Sequence, residues 1–193
     1  MNNSRKEKIM HRLASLNIFC ISFLLTGLSA AFDTVDHDIL IDRLHHAFGF
    51  YGDVLSWITS FVTGRTQRVR VGSQYSKCFA VQYGVPQGNV LGPILFWLYT
   101  ADVLVIAARH GVSVHSYAED TQLYLHTPAI NCEATFARLV ACIDDIGLRM
   151  SSNRLKLNAE KTQFTYFGTS ISLPKLTAPS LLPTVQSSIF FLQ

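Results

Sequence analysis

Gly84-Val85-Pro86-Gln87-Gly88-Asn89-Val90-Leu91-Gly92-Pro93-Ile94-Leu95 is the stretch of sequence that decides the fold. Two glycines flank a Pro-Gln turn, and an apolar run begins directly after it. Glycine permits backbone conformations and close approaches that other residues do not, and a proline such as Pro93 fits a helix only near its first turn. The stretch therefore predicts a tight loop that leads into a mostly helical segment over residues 89–110.

Two adjacent carboxylates, Glu119 and Asp120, follow this segment in a predicted hairpin. Residues 112–117 and 122–125 alternate in polarity as strands do, and Ala118-Glu119-Asp120-Thr121 forms the turn between them. Mg²⁺ accepts one or two protein carboxylates together with substrate phosphates. An exposed acidic turn is the alternative, and the turn by itself does not decide between the two.

The sequence before the loop predicts one strand, two helices and a basic hairpin. Residues 18–29 are continuously apolar, as in a strand buried on both faces, and apolar spacing predicts helices over residues 39–48 and 53–62. Arg68 and Arg70 then alternate with valines before a Gly-Ser turn. Their basic face fits a phosphate backbone and fits a solvated strand equally well.

The sequence after the hairpin predicts a helix over residues 133–150, with Asn131 as its N-cap, and then one or two strands over residues 155–166. The order of these elements is typical of an α+β protein. We expect a split βαβ arrangement of the ferredoxin-like kind, in which helices pack on one face of an antiparallel sheet.

The composition indicates one domain whose apolar surface is only partly covered. Of 193 residues, 49% are hydrophobic and only 15% are charged, with a net charge of +3. The four cysteines lack the short spacing of a zinc or redox motif, which indicates reduced thiols in an intracellular protein of the nucleus or cytoplasm. The alternative is an exported or membrane-attached product, because basic residues precede the apolar run within residues 5–30.

Three segments are expected along the chain. Residues 1–23 are basic and then apolar, residues 24–168 form the folded domain, and residues 169–193 are rich in Ser, Thr and Pro with Lys175 as their only charge. We expect this last segment to be irregular or disordered. The apolar run at the start is too short and too rich in Ser, Thr and Gly for a stable membrane span.

Four ordered blocks closely resemble motifs A, B, C and D in the palm of reverse transcriptases from LINE-type retrotransposons, which lack long terminal repeats. They are residues 28–37 (LSAAFDTVDH), 84–93 (GVPQGNVLGP), 117–124 (YAEDTQLY) and 155–162 (LKLNAEKT). The resemblance covers roughly residues 24–168. It implies an RNA-directed DNA polymerase palm that binds an RNA template, a DNA primer and deoxynucleotides, with two Mg²⁺ or Mn²⁺ ions as cofactors.

The resemblance also implies roles for individual residues. Glu119 and Asp120 match the metal-binding catalytic carboxylates of motif C, and Lys161 matches a motif D lysine that protonates pyrophosphate; a surface cation is the alternative for Lys161. Phe32 matches the aromatic residue beneath the sugar of the incoming nucleotide. The nucleotide and template lie against Gly84, Pro86, Gln87 and Gly88 in such enzymes.

The chain departs from this pattern at two metal-binding positions. Motif A of the family reads Asp-Leu-Ser-Ala-Ala-Phe-Asp, and Gly27 stands where its first Asp binds metal. Motif C reads Tyr-Ala-Asp-Asp, and Glu119 replaces its first Asp. We also expect no fingers segment before residue 27 and no thumb after Gly168. These departures predict weak metal binding and a catalytically inactive palm, or a non-catalytic binder that holds nucleic acid through Arg65, Arg68, Arg70 and Lys161.

Overall fold

The computed structural model describes residues 18–25, 31–117, 120–128, 131–158, 162–169 and 186–192, and for the first and last two of these ranges it describes the backbone. The helices are α1 (His37–His46), α2 (Gly52–Val62), α3 (Leu91–Tyr99), α4 (Asp102–Arg109) and α5 (Cys132–Ser152). The strands are β1 (Ile18–Leu25), β2 (Thr66–Gln67), β3 (Arg70–Val71), β4 (Gln74–Tyr75), β5 (Phe79–Ala80), β6 (Ser113–Tyr117), β7 (Asp120–Pro128), β8 (Thr162–Thr169) and β9 (Gln186–Leu192).

A five-stranded sheet in the order β6-β7-β1-β8-β9 forms the centre of the fold. β1 is antiparallel to both of its neighbours, β6 is antiparallel to β7, and β9 joins the edge parallel to β8. β1 and β6 therefore run in the same direction with β7 inserted between them, which is the split βαβ arrangement. The predicted α+β class and its ferredoxin-like core are confirmed.

Helices cover one face of this sheet. Leu123, Leu125 and Thr127 of β7 are buried and alternate with more exposed residues, as in a strand with one covered face. The hydroxyl of Thr135 on α5 donates to the hydroxyl of Thr127 at 2.9 Å inside this contact. The largest fully buried side chains are Tyr99, Phe96, Leu40, Leu44, Leu123, Leu139, Ile146, Val35 and Val62.

The helix predicted over residues 39–48 begins two residues earlier, at an aspartate cap. Oδ1 of Asp36 accepts hydrogen bonds from the backbone N–H groups of Asp38 at 3.0 Å and Ile39 at 3.1 Å. These bonds satisfy N–H groups that a helix leaves unpaired at its start. The chain leaves the helix through Gly49, whose φ of +70° is the left-handed conformation typical of a helix end.

The helical segment predicted over residues 89–110 consists of two helices. The side-chain hydroxyl of Thr100 donates to the carbonyl of Phe96 at 3.0 Å, and α4 begins two residues later at an angle of 42°. Among the described residues no single helix is long and apolar enough to cross a membrane, whereas α3 and α4 pass that test jointly by length and composition. Leu95, Phe96 and Ile106 of this pair lie in the protein core.

β1 spans Ile18–Leu25 within the predicted apolar strand, and residues 26–29 of that prediction lie outside the described residues. Two elements differ from the sequence predictions. Asp120, predicted within a turn, is the first residue of β7 and pairs with Tyr117 of β6. Residues 186–192, predicted to be irregular, form β9 along the edge of the sheet. Backbone pairing with β8 supplies hydrogen bonds that the local composition does not encode.

A buried arginine ties four helices together. The guanidinium of Arg43 on α1 donates to the backbone carbonyl of Tyr99 at 2.6 Å, to Asp102 Oδ2 at 2.6 Å and to Asn153 Oδ1 at 3.3 Å. Burial raises the pKa of the Tyr99 hydroxyl, which donates to the carbonyl of Asn153 at 2.6 Å. Asp102 Oδ2 also accepts a hydrogen bond from Arg149 Nε at 2.5 Å. The network joins α1 to the α3–α4 junction and to the end of α5.

Two described cysteines should differ sharply in reactivity. Cys142 is buried in α5, and burial, helped by the charge of Asp145, raises the pKa of its thiol to about 11, whereas Cys78 is exposed. Since the thiolate is the nucleophile, alkylation of the folded chain at about pH 8 should modify Cys142 at least roughly a hundredfold more slowly than Cys78. Peptide mass spectrometry measures both rates, and urea should equalise them. Equal rates in the folded protein would contradict the burial of Cys142.

Candidate functional site

The sheet brings the strand before motif A beside the motif C hairpin. Leu25, the last residue of β1, pairs with Thr121 on one side and with Thr162 on the other. Asp120 therefore begins β7 next to the end of β1, and its side chain is exposed. Gly27, Glu119 and Lys161 lie outside the described residues, so their predicted roles stay predictions.

The motif A segment and the motif B loop are joined by backbone hydrogen bonds. The N–H of Gly84 donates to the carbonyl of Val35 at 2.7 Å, and the N–H of Val85 donates to the carbonyl of Phe32 at 2.7 Å. The amide Nε2 of Gln87 adds a bond to Asp33 Oδ1 at 2.9 Å. Phe32, Asp33, Gly84 and Gln87, which lie about fifty residues apart in sequence, thus form one surface.

Gly84 is required at this contact by both conformation and space. Its φ is +85°, which L side chains rarely adopt. A Cβ built on it would lie 2.8 Å from the Cα of Asp33 and 2.8 Å from the carbonyl oxygen of Phe32. Both neighbours are backbone atoms that cannot rotate away, so the two motifs touch only because residue 84 has no side chain.

The ring of Phe32 is half-buried against the first helix after the loop. Its centroid lies 5.1 Å from that of Phe96 on α3, with the two rings tilted by 37°. This packing fixes the position of Phe32 beside Asp33, whose carboxylate is exposed. An aromatic surface and a carboxylate therefore stand side by side at the mouth of the loop.

Two polar residues that sequence reasoning did not single out hold the motif B loop. Asn89 donates through Nδ2 to the carbonyl of Pro86 and accepts the N–H of Gly92 at 2.6 Å through Oδ1. An Asn at the start of an apolar helical run is a known capping signal, so Asn89 was recognisable from sequence. His37 Nε2 lies 2.8 Å from the carbonyl of Gly84 across 47 residues, a contact without a local signal.

Arg65 supports the loop from the other side. Its guanidinium donates to the carbonyls of Gly84, Tyr83 (3.4 Å) and Val62 (2.9 Å). Much of its hydrogen-bonding capacity is used within the protein. The structure therefore brings Arg65 to the motif B loop, whereas Arg68 and Arg70 lie on the exposed strands beyond it.

A cleft of about 390 Å³ opens between these elements. It has Asp33 and Arg65 as its charged groups and the motif B loop as its floor. The lining residues are Asp33, Arg65, Thr66, Gln67, Val81, Tyr83, Gly84, Val85, Pro86 and Gln87. The cleft unites residues of motifs A and B with the base of the β2–β5 ladder.

The family described as "Reverse transcriptase (RNA-dependent DNA polymerase)" matches residues 5–192 of this sequence. The chain belongs to the reverse transcriptase family. The resemblance seen in the four sequence blocks is thereby confirmed. The match also extends into residues 5–23 and 169–192, which the sequence placed outside the palm.

Two relatives are transposon proteins of Drosophila melanogaster. The chain is 34% identical over 157 residues to "Probable RNA-directed DNA polymerase from transposon BS", covering 77% of this chain and 16% of that protein. It is 28% identical over 136 residues to "RNA-directed DNA polymerase from mobile element jockey", covering 68% and 14% respectively. This reverse transcriptase domain thus spans less than a fifth of either relative.

A solved structure supports the same fold. Apo telomerase from Candida tropicalis, truncated from its C-terminal domain, aligns with a TM-score of 0.58 at 13% identity, over 86% of this chain and 35% of that one. At this identity the likeness concerns the fold alone. It agrees with an α+β, palm-like domain.

The described donor atoms of this reverse transcriptase domain do not by themselves form a site for a pair of divalent cations. Gly27, at the motif A position, offers no side chain, and the nearby Asp33 carboxylate accepts the amide of Gln87. In the described part of the chain no three His, Cys, Asp or Glu side chains cluster as metal ligands. Reverse transcriptases generally use divalent metal, and Glu119, the motif C carboxylate that the resemblance assigns to it, lies outside the described residues.

Proposed function

We propose that this chain is a reverse transcriptase palm derived from a transposon polymerase that retains the surface for template and nucleotide but does not polymerise DNA. The observation that carries the proposal is the combination of an intact contact between motifs A and B with Gly27 at the metal-binding position. Binding and positioning depend on the loop, whereas catalysis depends on carboxylates. The two can therefore be lost separately.

The retained surface has the chemistry of a nucleotide and template site. Phe32 presents an aromatic ring, and the loop Gly84, Pro86, Gln87 and Gly88 presents backbone and amide groups around the cleft. Gly88 has a φ of +75°, a conformation that keeps a side chain from the turn. We propose that an RNA template and a DNA primer lie against this loop, with a deoxynucleotide on Phe32.

The inactive half of the proposal follows from carboxylate geometry. Two-metal catalysis requires ligands that hold both ions close together. Gly27 removes one ligand. Glu119 keeps a carboxylate at the second position, but its side chain is longer than that of Asp by one C–C bond, so the carboxylate lies further from the backbone. Misplacing a reacting group by about 1 Å can cost on the order of a hundredfold in rate. Asp120 and Lys161, though retained, then lack the partners that would make them catalytic.

We expect the purified chain to extend no DNA primer on an RNA template in the presence of either Mg²⁺ or Mn²⁺. Loss of the motif A ligand should reduce turnover by at least about three orders of magnitude, as removal of essential catalytic groups does in other enzymes. Gel analysis of a labelled primer measures this directly. Extension by the natural sequence at a rate typical of polymerases would overturn the inactivity.

A matched variant tests whether these two positions cause the inactivity. Gly27→Asp with Glu119→Asp restores the family pattern, and adding Asp120→Asn to it provides the inactive control. Extension by the double variant, and not by the triple one, would assign the defect to the two carboxylates. Without extension by the double variant, the cause of the inactivity is not confined to these two positions.

We also propose an intracellular location. Cys78 and Cys142 carry free thiols in the described part of the chain, and free thiols are typical of reducing compartments. Fractionation of cells that express the tagged chain tests this proposal, and recovery from the secreted fraction would contradict it.

A further inference from the structure

The segment between α2 and the motif B loop projects from the fold as an exposed arm. The arm comprises residues 66–80, in which β2 pairs with β5 and β3 pairs with β4 around the turn at Gly72 and Ser73. Every residue of the arm is exposed. Exposed strands with aromatic side chains leave interaction potential that the fold itself does not use.

The charge of this region has one sign. No Asp or Glu occurs between Asp53 and Asp102, while Arg65, Arg68, Arg70 and Lys77 fall within that interval. The arm therefore carries three cations without a neighbouring acidic residue in sequence. Such a stripe attracts a polyanion, and phosphodiester groups are the polyanion that matches closely spaced guanidinium groups.

Tyr75 lies at the centre of this charge. Its ring centroid is 4.5 Å from the guanidinium carbon of Arg68 and 5.5 Å from that of Arg70. Arg70 and Tyr75 are direct cross-strand partners, so their side chains share one face. The side chain of Tyr75 is still 52% exposed. An exposed aromatic ring beside two cations is an arrangement that binds unpaired bases by stacking and their phosphates by charge.

The arm is preorganised for such a contact. Ser76 donates its N–H to the carbonyl of Val69 at 2.9 Å and accepts the N–H of Val69 on its hydroxyl at 2.9 Å. Arg70 Nε donates to the carbonyl of Gly72 at 2.8 Å, which leaves its terminal amino groups for a ligand. A rigid platform loses less conformational entropy when a ligand binds.

The base of the arm is attached to the cleft. The N–H of Val81 donates to the carbonyl of Arg65 at 2.8 Å, and Arg65 in turn holds Gly84 of the motif B loop. Thr66 and Gln67 of β2 line the cleft itself. A nucleic-acid strand that leaves the cleft past Thr66 and Gln67 would therefore reach the arm next.

We propose that Tyr75, Arg68 and Arg70 form a binding site for an unpaired nucleic-acid strand outside the cleft. One base stacks on the open part of the Tyr75 ring, and the two guanidinium groups pair with the phosphates on either side of that base. The site goes beyond the function proposed above, because it needs neither a bound nucleotide nor catalytic carboxylates. The shared chemistry of single-stranded RNA and DNA is what it recognises.

Fluorescence anisotropy with the full chain tests this site, using labelled oligo(U), oligo(dT) and a DNA duplex, each of about 12 nucleotides or base pairs. Tyr75→Leu should weaken binding of the single strands by about 5- to 100-fold, the cost of losing one stacked base, and Tyr75→Phe should retain it. The matched control is Tyr51→Leu, an exposed tyrosine outside the arm, which should change nothing. Comparison of oligo(U) with oligo(dT) shows which strand the site prefers.

The salt dependence of binding tests the two arginines of the site independently of Tyr75. Arg68→Gln with Arg70→Gln should reduce the slope of log affinity against log salt by about 1.4, since each phosphate contact on a single strand contributes about 0.7. Arg109→Gln, at an exposed position on α4, should leave the slope unchanged. Thermal unfolding of each variant checks that it is folded.

The inference fails if Tyr75→Leu binds single strands as the natural chain does, or if Tyr51→Leu weakens them equally. It also fails if the duplex binds as tightly as the single strands and loses as much affinity in Tyr75→Leu. A chain that binds an RNA–DNA template–primer but ignores the arm variants would refute this site while leaving the proposed function intact. A chain that binds the single strands through Tyr75 but no template–primer would do the reverse.

Discussion

Replacement of Gly84 with alanine should destabilise the chain by about 3 kcal/mol, a substantial fraction of the roughly 5 to 15 kcal/mol that stabilises most folded proteins. The left-handed φ of +85° costs an L residue about 1 to 2 kcal/mol. Overlap of the new Cβ with backbone atoms of Phe32 and Asp33, both at 2.8 Å, adds about 1 to 3 kcal/mol because the backbone must shift. Urea unfolding followed by circular dichroism measures the change in the midpoint.

Gly72 supplies the matched control for this prediction. Its φ of +59° is also left-handed, but a Cβ there would meet no atom within 4 Å. Gly72→Ala should therefore cost only about 1 to 2 kcal/mol, the conformational part of the effect. If both variants lost the same stability, the close contact between the motif A segment and the motif B loop would be wrong. Loss of that contact should also separate Gln87 from Asp33 and open the cleft.

Much of the fold was predictable because local chemistry and global packing agree. Asp36 and Gly49 mark the ends of α1 through capping and a left-handed turn, which are sequence signals of short range. The order of strands and helices then allowed few arrangements of the sheet, and the split βαβ form is the one observed. Local capping signals and the packing of the whole sheet therefore favour the same fold.

The misplaced boundaries have a different origin. The apolar pattern of a segment shows which residues avoid water, but strand boundaries depend on the partners, and Asp120 joins β7 because it pairs with Tyr117 of β6. β9 is likewise specified by its neighbour β8 over a long separation in sequence. Long-range pairing of this kind leaves little trace in local composition.

The candidate site was predictable from the sequence only in part. The motif blocks located Phe32, Gly84 and Gln87, and the structure brings them together. The support from His37 and Arg65 was not foreseen, because each bonds to a backbone carbonyl that any residue could provide. Sequence patterns identify the side chains that face a ligand better than those that hold a loop in place.

Replacement of Arg43 with methionine should destabilise the chain by about 3 kcal/mol, since removal of one partner from a buried ionic network leaves the others unpaired. Arg43 is only 8% exposed, and methionine fills much of its volume without forming hydrogen bonds. The carbonyl of Tyr99 and Oδ1 of Asn153 would lose their donors. Asn153 Nδ2 already has no partner in the described part of the chain, so this end of α5 has little capacity to compensate.

Arg149 provides the control, since it binds the same oxygen of Asp102 from the surface. Its side chain is 47% exposed, so Arg149→Met should cost no more than about 1 kcal/mol, the usual value of an exposed ion pair. Salt should reduce this smaller effect and leave the larger one nearly unchanged, because buried pairs are screened less. Urea unfolding at low and high salt measures all four values. If both substitutions destabilised the chain equally, the burial of Arg43 would add nothing to its ion pair, and the prediction would be wrong. A large difference instead shows that the junction of α1, α3 and α4, on which the motif B loop is mounted, depends on one desolvated guanidinium.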